Sequence, residues 1–227
     1  MTINIQAPEL RELKPRIMVC GVGGAGATTL AVFAGDRLAH VDSLSVGGQH
    51  VTMDIARGLS ISLADAERLK MTYAACGFSP AEEREAVAIQ RVGDERPVQV
   101  AKGELARIVR PRVEEILELA RDRLEKAGFG AHAARRLVLT GGAAQLNGLA
   151  DLARQIVSPQ ARMGRPLGVE GLPEAAKTPA FATAAGLTVF PQVVGQEHAG
   201  APLGGAGDDT DDDGYVSRVR RWLKQSF

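Results

Sequence analysis

Cys20-Gly21-Val22-Gly23-Gly24-Ala25-Gly26-Ala27-Thr28-Thr29-Leu30-Ala31-Val32-Phe33 is the stretch on which the fold of this chain turns. Residues 21–26 satisfy the Gly-x-Gly-x-x-Gly spacing of dinucleotide-binding folds, and the apolar run at 16–22 supplies the strand that must precede it. Those folds need a helix to open at the loop, so that its first N–H groups meet a pyrophosphate. Residues 28–33 are β-branched and apolar instead, which predicts a second strand. A Gly- and Thr-rich loop that enters a hairpin can still wrap a phosphate, with backbone N–H groups alone.

Outward from that loop, residues 28–34 and 37–46 flank Gly35-Asp36 and read as a hairpin. A helix is predicted after Gly47-Gly48, running through Val51 and Ile55 to a stop at Gly58, and a second from Ser62 through Ala66, Leu69 and Lys70. The charged stretch that follows carries predicted strands at 86–92 and 97–101. A long helix is expected at 104–127, ending at Gly128, with Pro111 bending it or marking a joint. Residues 136–140 read as a strand, Gly141-Gly142 as a tight loop, 146–157 as a helix, 158–173 as Pro/Gly-rich loop and 181–190 as a small-residue helix.

Composition narrows the class. Of the 227 residues 45% are hydrophobic and 24% charged, with a formal net charge of +0, which describes a globular body without the basic excess of a nucleic-acid binder. No apolar run approaches the roughly 18 to 20 residues of a membrane span, and residues 1–9 lack the pattern of a signal peptide, so a cytoplasmic location is expected. Cys20 and Cys76 match no paired spacing and read as reduced thiols; His40, His50, His132 and His198 are too scattered for a metal site.

The C-terminal end has a separate character. Residues 200–214 are Gly-rich and then acidic, a pattern for an extended linker. In residues 215–227 a helical period places Val216, Val219, Trp222, Leu223 and Phe227 on one arc and Arg218, Arg221 and Lys224 on the other. This is the pattern of an amphipathic helix on an anionic membrane surface. One short helix binds weakly, so firm attachment is expected to need self-association.

From Gly24 onward the chain resembles the second domain of the FtsA family of actin-like bacterial division proteins. The resemblance rests on Gly24-Ala25-Gly26-Ala27-Thr28-Thr29-Leu30-Ala31, the family's second phosphate loop, and on Gly47-Gly48-Gln49-His50-Val51-Thr52-Met53-Asp54-Ile55-Ala56. It continues in Ala66-Glu67-Arg68-Leu69-Lys70, in Leu137-Val138-Leu139-Thr140-Gly141-Gly142-Ala143-Ala144-Gln145-Leu146-Asn147-Gly148-Leu149, the adenosine loop, in residues 181–187, and in the amphipathic end. It implies an α/β fold: one half, domain 2, of the actin/ribonuclease-H-like ATPase architecture, with a small inserted subdomain at roughly 58–135 and a C-terminal amphipathic helix. It also implies that Gly24, Gly26, Thr28 and Thr29 lie near phosphate, that Glu67 and Lys70 border the nucleoside, and that Gly141 and Gly142 let it approach the backbone. Read without it, Glu67 and Lys70 equally fit a solvated helix pair and Gly141-Gly142 a plain turn.

Residues 1–26 resemble instead the extreme N-terminus of FtsZ, the tubulin-like partner of FtsA, and the two resemblances meet in the shared Gly-Gly-Ala-Gly of 23–26. The expectation is a chimeric or truncated chain divided as 1–26, an actin-fold domain at 27–190, a linker at 191–214 and a membrane-targeting helix at 215–227. The family closes ATP and Mg between two domains, the first of which is expected to be missing, and places an Asp of the magnesium shell where Val22 stands; an apolar side chain cannot hold metal-bound water. The residues at 16–22 are expected to fill the position of the lost strand. The functional expectation is a non-enzymatic adaptor that binds the FtsZ C-terminal tail through the small subdomain and tethers it to the cytoplasmic face of the inner membrane at the division site, self-associating as actin-like proteins do, with no nucleic acid involved. The alternatives are an ATP-binding polymer subunit or ATPase, and a non-functional fragment.

Overall fold

A computed structural model describes residues 17–199, apart from 25, 36, 131–135 and 168. Its contacts divide the chain after Val189, and beyond that point the described residues are the end of one helix. The amphipathic end and most of the predicted linker lie outside the described residues.

Strand β1 (Ile17–Val22) follows the apolar run, and β2 (Thr28–Ala34) and β3 (Arg37–Leu44) form the hairpin expected after it. A strand therefore follows the Gly-rich loop, and the dinucleotide-type helix does not form there. With β6 (Leu137–Thr140) and β7 (Ala161–Met163) these make a five-stranded sheet in the order β3-β2-β1-β6-β7, in which β1 runs antiparallel to β2 and parallel to β6. Residues 17–22 thus hold a central position in the sheet. Directly paired residues share a face, so Met18, Val32 and Leu137 form one row and Cys20, Leu30 and Leu139 the next. All six are buried.

That face belongs to one core with the helices. In α1 (Gly48–Leu59) the residues Val51, Ile55 and Leu59 recur at the helical period and are fully covered. The helix ends at Ser60, in the left-handed region at φ 56°, rather than at Gly58 as expected. Gly58 serves packing instead: a Cβ there would stand 2.8 Å from Ile108 Cδ1 of α3 (Lys102–Lys126). Helix α3 buries Leu105, Val109, Val113, Leu117, Ala120 and Leu124 along one stripe. Pro111 sits on its exposed side, and the helix runs through it unbroken. Ser62 caps α2 (Leu63–Tyr73) by accepting from the Asp65 N–H.

Within residues 58–135, where a small subdomain was expected, lies the two-stranded sheet of β4 (Ala86–Ile89) and β5 (Val98–Ala101). Its first strand is shorter than the predicted 86–92, because residues 91–94 turn. Three further expectations are corrected. Helix α4 (Leu149–Ile156) starts three residues later than 146, since Gly148 takes φ 81° and a 3-10 turn occupies Ala143–Gln145. The loop predicted at 158–173 contains β7, a strand held by its parallel pairing with β6. Helix α5 (Ala182–Ala199) continues through Pro191, where the linker was expected to begin. A proline inside a helix removes one donor and can bend the helix without ending it.

Cys20 and Cys76 are both free and buried, and burial pushes each thiol up to about 12. At neutral pH neither carries appreciable thiolate, so both act as small core residues.

Candidate functional site

The parallel strands β1 and β6 end side by side, and their following loops meet the N-terminus of α1. The Gly-rich loop closes on itself through Gly23 N–H to Ala27 O (3.0 Å), and Gly48 N–H of α1 donates to Gly23 O (2.9 Å). Gly141 requires glycine: it has φ 90°, and a Cβ would lie 2.4 Å from the Val22 carbonyl oxygen. Its N–H donates to Pro179 O at 3.0 Å, which anchors the segment leading into α5.

Between these loops and α2 lies a cavity of about 280 Å³. Gly24, Glu67, Lys70 and Gly142 line it, four of the eight residues singled out for nucleotide. Met71, Ala74, Ala143, Leu146 and Ala180 give it an apolar wall, and Gln145 a polar one. None of these last six was identified in sequence as a site residue. The spacing of Met71 and Ala74 from Glu67 and Lys70, four residues along one helix face, is the signal that could have found two of them.

The other four residues stand elsewhere. Thr28 is fully buried and donates its hydroxyl to Val46 O at 2.7 Å, so it braces the hairpin and does not line the cavity. Thr29 is exposed on the opposite face of β2, as strand alternation requires. Gly26 packs against the side chains of Gln49 and His50, and Gly141 against Val22. The Val22 side chain is buried, 1% exposed, and offers no oxygen to a metal. Among the described residues no group of three or more His, Cys, Asp or Glu side chains is placed to hold a metal ion.

Glu67 and Lys70 are not a solvated pair. Lys70 is only 7% exposed, and its ammonium donates to Glu67 Oε2 (2.8 Å), Thr52 Oγ1 (2.8 Å) and Gly48 O (3.2 Å). A buried ammonium is tolerated only when paired and hydrogen-bonded, and this one spends all three N–H groups on protein acceptors. Thr52 Oγ1 also lies 2.5 Å from Glu67 Oε2. Desolvation alone would raise the Glu67 carboxyl, but the hydrogen bonds from Lys70 and Thr52 and the Lys70 charge outweigh it and hold it below the usual carboxylate range.

A second concavity, of about 520 Å³, lies on the other side of α2. One wall is Asp65, Arg68, Leu69, Thr72 and Tyr73; the other is the uninterrupted run of residues 85–90, the unpaired edge of β4. Lys102 stands at its side, paired with Glu85 (2.5 Å) and placed over the rings of Tyr73 (5.8 Å) and Phe78 (6.0 Å).

Comparison with known proteins gives this geometry a context. Residues 23–186 match the family model described as Cell division protein FtsA. The cell division protein FtsA of Agrobacterium fabrum (strain C58) is 48% identical over 207 residues, covering 90% of this chain and 47% of that protein. FtsA of Escherichia coli (strain K12) is 31% identical over 227 residues, covering 96% of this chain and 53% of that protein. The chain spans about half the length of the curated relatives it matches. Among solved structures, MreB5 of Spiroplasma citri bound to ADP superposes with a TM-score of 0.63 at 16% identity, over 84% of this chain and 57% of that one. The fold is therefore that of the actin-like ATPases.

Proposed function

Because the chain belongs to the FtsA family of cell division proteins, we propose that it works in division as an adaptor, joining the FtsZ C-terminal tail to the anionic cytoplasmic surface of the inner membrane. The observation that carries this reading is the open groove between α2 and β4. A free strand edge beside a helix accepts an extended peptide through backbone hydrogen bonds, while the facing side chains select it. Both elements fall within residues 58–135, the expected subdomain on which the resemblance places the partner site. Attachment to the membrane is assigned to Val216, Val219, Trp222, Leu223 and Phe227, with Arg218, Arg221 and Lys224 on the lipid headgroups.

The same reading includes a nucleoside site. MreB5 shares this fold and is described as bound to ADP, and here the cavity between α2 and the Gly141–Leu146 loop occupies about 280 Å³, near the lower end of small-ligand sites. Glu67, Gly24 and Gly142 suit a nucleoside against an apolar wall. The magnesium shell does not fit, since the buried, apolar Val22 side chain supplies no carboxylate at the position of the expected Asp. The proposed role accordingly needs no ATP turnover by this chain.

Co-sedimentation with phosphatidylglycerol-containing vesicles tests the adaptor. The full chain is expected to bring down a fluorescent FtsZ-tail peptide without ATP. Ala88→Pro, which removes a backbone donor from the β4 edge, should lose peptide and keep lipid; Trp222→Glu should lose both from the pellet while binding peptide in solution. Peptide recruitment that survives Ala88→Pro in a folded protein overturns the groove assignment.

A further inference from the structure

Strand β3 forms one edge of the five-stranded sheet, and among the described residues it pairs only with β2. The ladder fixes which of its backbone groups face outward. Gly23 N–H to Ala27 O continues the β1–β2 register, so Ile17 and Val19 are hydrogen-bonded to Phe33 and Ala31. Phe33 and Ala31 thus turn their N–H and C=O groups to β1, and the residues opposite them on β3, Leu38 and Val41, turn theirs to the open edge. The same two side chains are 55% and 54% exposed, on the face opposite buried Leu30 and Val32. They are three apart in sequence but only two ladder steps apart, because a bulge leaves Ala39 without a partner on β2. An open edge with exposed apolar side chains is a ready seat for one more strand.

We propose that residues 2–6 of this chain's own N-terminal segment are that strand, laid antiparallel on β3 with Ile3 against Val41 and Ile5 against Leu38. Thr2-Ile3-Asn4-Ile5-Gln6 alternates polar and apolar residues, and its isoleucines stand two residues apart, the step that the bulge gives Leu38 and Val41. Both β1 and β3 run antiparallel to β2, so they begin at the same end of the sheet, in the row of Ile17, Phe33 and Leu38. A strand antiparallel to β3 finishes at that end, where β1 starts. Three strand spacings, about 14 Å, separate the two. The ten residues 7–16 that join them can reach about 33 Å, and Pro8 falls past the strand, where it removes no ladder donor. A segment tethered this closely is present at about millimolar effective concentration, which favours it over a second copy of the chain. Docked, it covers Leu38 and Val41 and makes β3 an interior strand, closing the edge to self-pairing.

Residue-resolved amide exchange by NMR on the full chain tests this. The outward N–H groups of Leu38 and Val41 should exchange at least about tenfold more slowly than unprotected amides, and Ile3→Asp with Ile5→Asp should release both while leaving Leu30 unchanged. Free exchange of Leu38 and Val41 in the wild-type chain overturns the proposal. Protection that survives the double substitution overturns it as well, and a rise with protein concentration would then identify a second copy's β3 as the occupant. Protection that the substitution removes but that grows with concentration means exchange of the segment between copies, and overturns docking within one chain. Leu38→Lys should also release the Val41 amide, and Ile5→Glu in that background should restore its protection through the new cross-strand charge pair. A pair no better protected than Leu38→Lys alone overturns the register.

Discussion

Helix α2 is shared by two concavities built on different principles. On one side Glu67, Lys70, Met71 and Ala74 line a small cavity with a buried cation, and every donor of that cation is committed. On the other, Asp65, Arg68, Thr72 and Tyr73 line an open groove, where the nearby ion pair of Lys102 and Glu85 is solvated at its acidic end. Buried polar networks hold a fixed geometry, because an unpaired member is costly; solvated pairs cost little to rearrange. The cavity suits a rigid small ligand and the groove a peptide that brings its own backbone hydrogen bonds.

The largest effect that tests this contrast lies in the loop that closes the cavity. Gly141→Ala sets a Cβ at 2.4 Å from the Val22 carbonyl in a left-handed backbone conformation, and should destabilise the protein by about 3 kcal/mol in urea unfolding with an unchanged m-value. Gly142→Ala, with nothing within 4 Å of its Cβ, should stay within about 0.5 kcal/mol of wild type. Similar losses at both positions would mean that the loop is soft, and the cavity no more rigid than the groove.

A buried hydroxyl provides the next effect. Thr28→Val leaves the Val46 carbonyl without its 2.7 Å donor and should cost about 1–2 kcal/mol, whereas Thr29→Val on the exposed face of β2 should be close to neutral. Neither change should alter nucleotide affinity. A selective loss of nucleotide binding in a stable Thr28→Val protein would restore the phosphate role that its burial argues against.

These residues show what the sequence discloses. Period-two alternation already puts Thr28 on the inward face with Leu30 and Val32, so its burial was legible, but the resemblance to a phosphate loop drew the reading towards a ligand. Lys70 continues the buried stripe of Ala66 and Leu69, a lysine where an apolar residue belongs; that signals a paired cation, and Glu67 three residues before it is a legible partner, but the other two come from α1, eighteen and twenty-two residues away in sequence. The strands β1 to β3 and the helices α1 to α3 follow from local pattern, since each has enough residues to set a period. The strand β7 does not: three residues carry no period, and only pairing with β6 makes them a strand. The groove was invisible for a related reason, because it is made by the edge of β4 lying opposite α2 rather than by any motif within either.

The smallest effect is a pH dependence that separates the two sides of α2. Glu67 titrates below its ordinary value, so its contribution to stability is fully present above the unfolded carboxylate pKa of about 4.3 and is lost as the pH falls through the lower folded value. Glu67→Gln should therefore be less stable than wild type at pH 6, and the two should converge as the pH drops below that window. The carboxylate is nearly half exposed, and solvent screening keeps the difference below about 1 kcal/mol. Glu82, away from the cavity, is also held low, by hydrogen bonds from the Ser79 hydroxyl and N–H, and loses its contribution in the same direction. What distinguishes the cavity is the network of Glu67, Thr52 and Lys70: in a Thr52→Val background the Glu67→Gln difference should shrink, because one of the two hydrogen bonds to the carboxylate is already gone, while a Glu82→Gln difference should be unchanged. If Thr52→Val shrank both differences equally, the coupling would be a property of the whole domain, and the separation between a rigid cavity and an adaptable groove would fail.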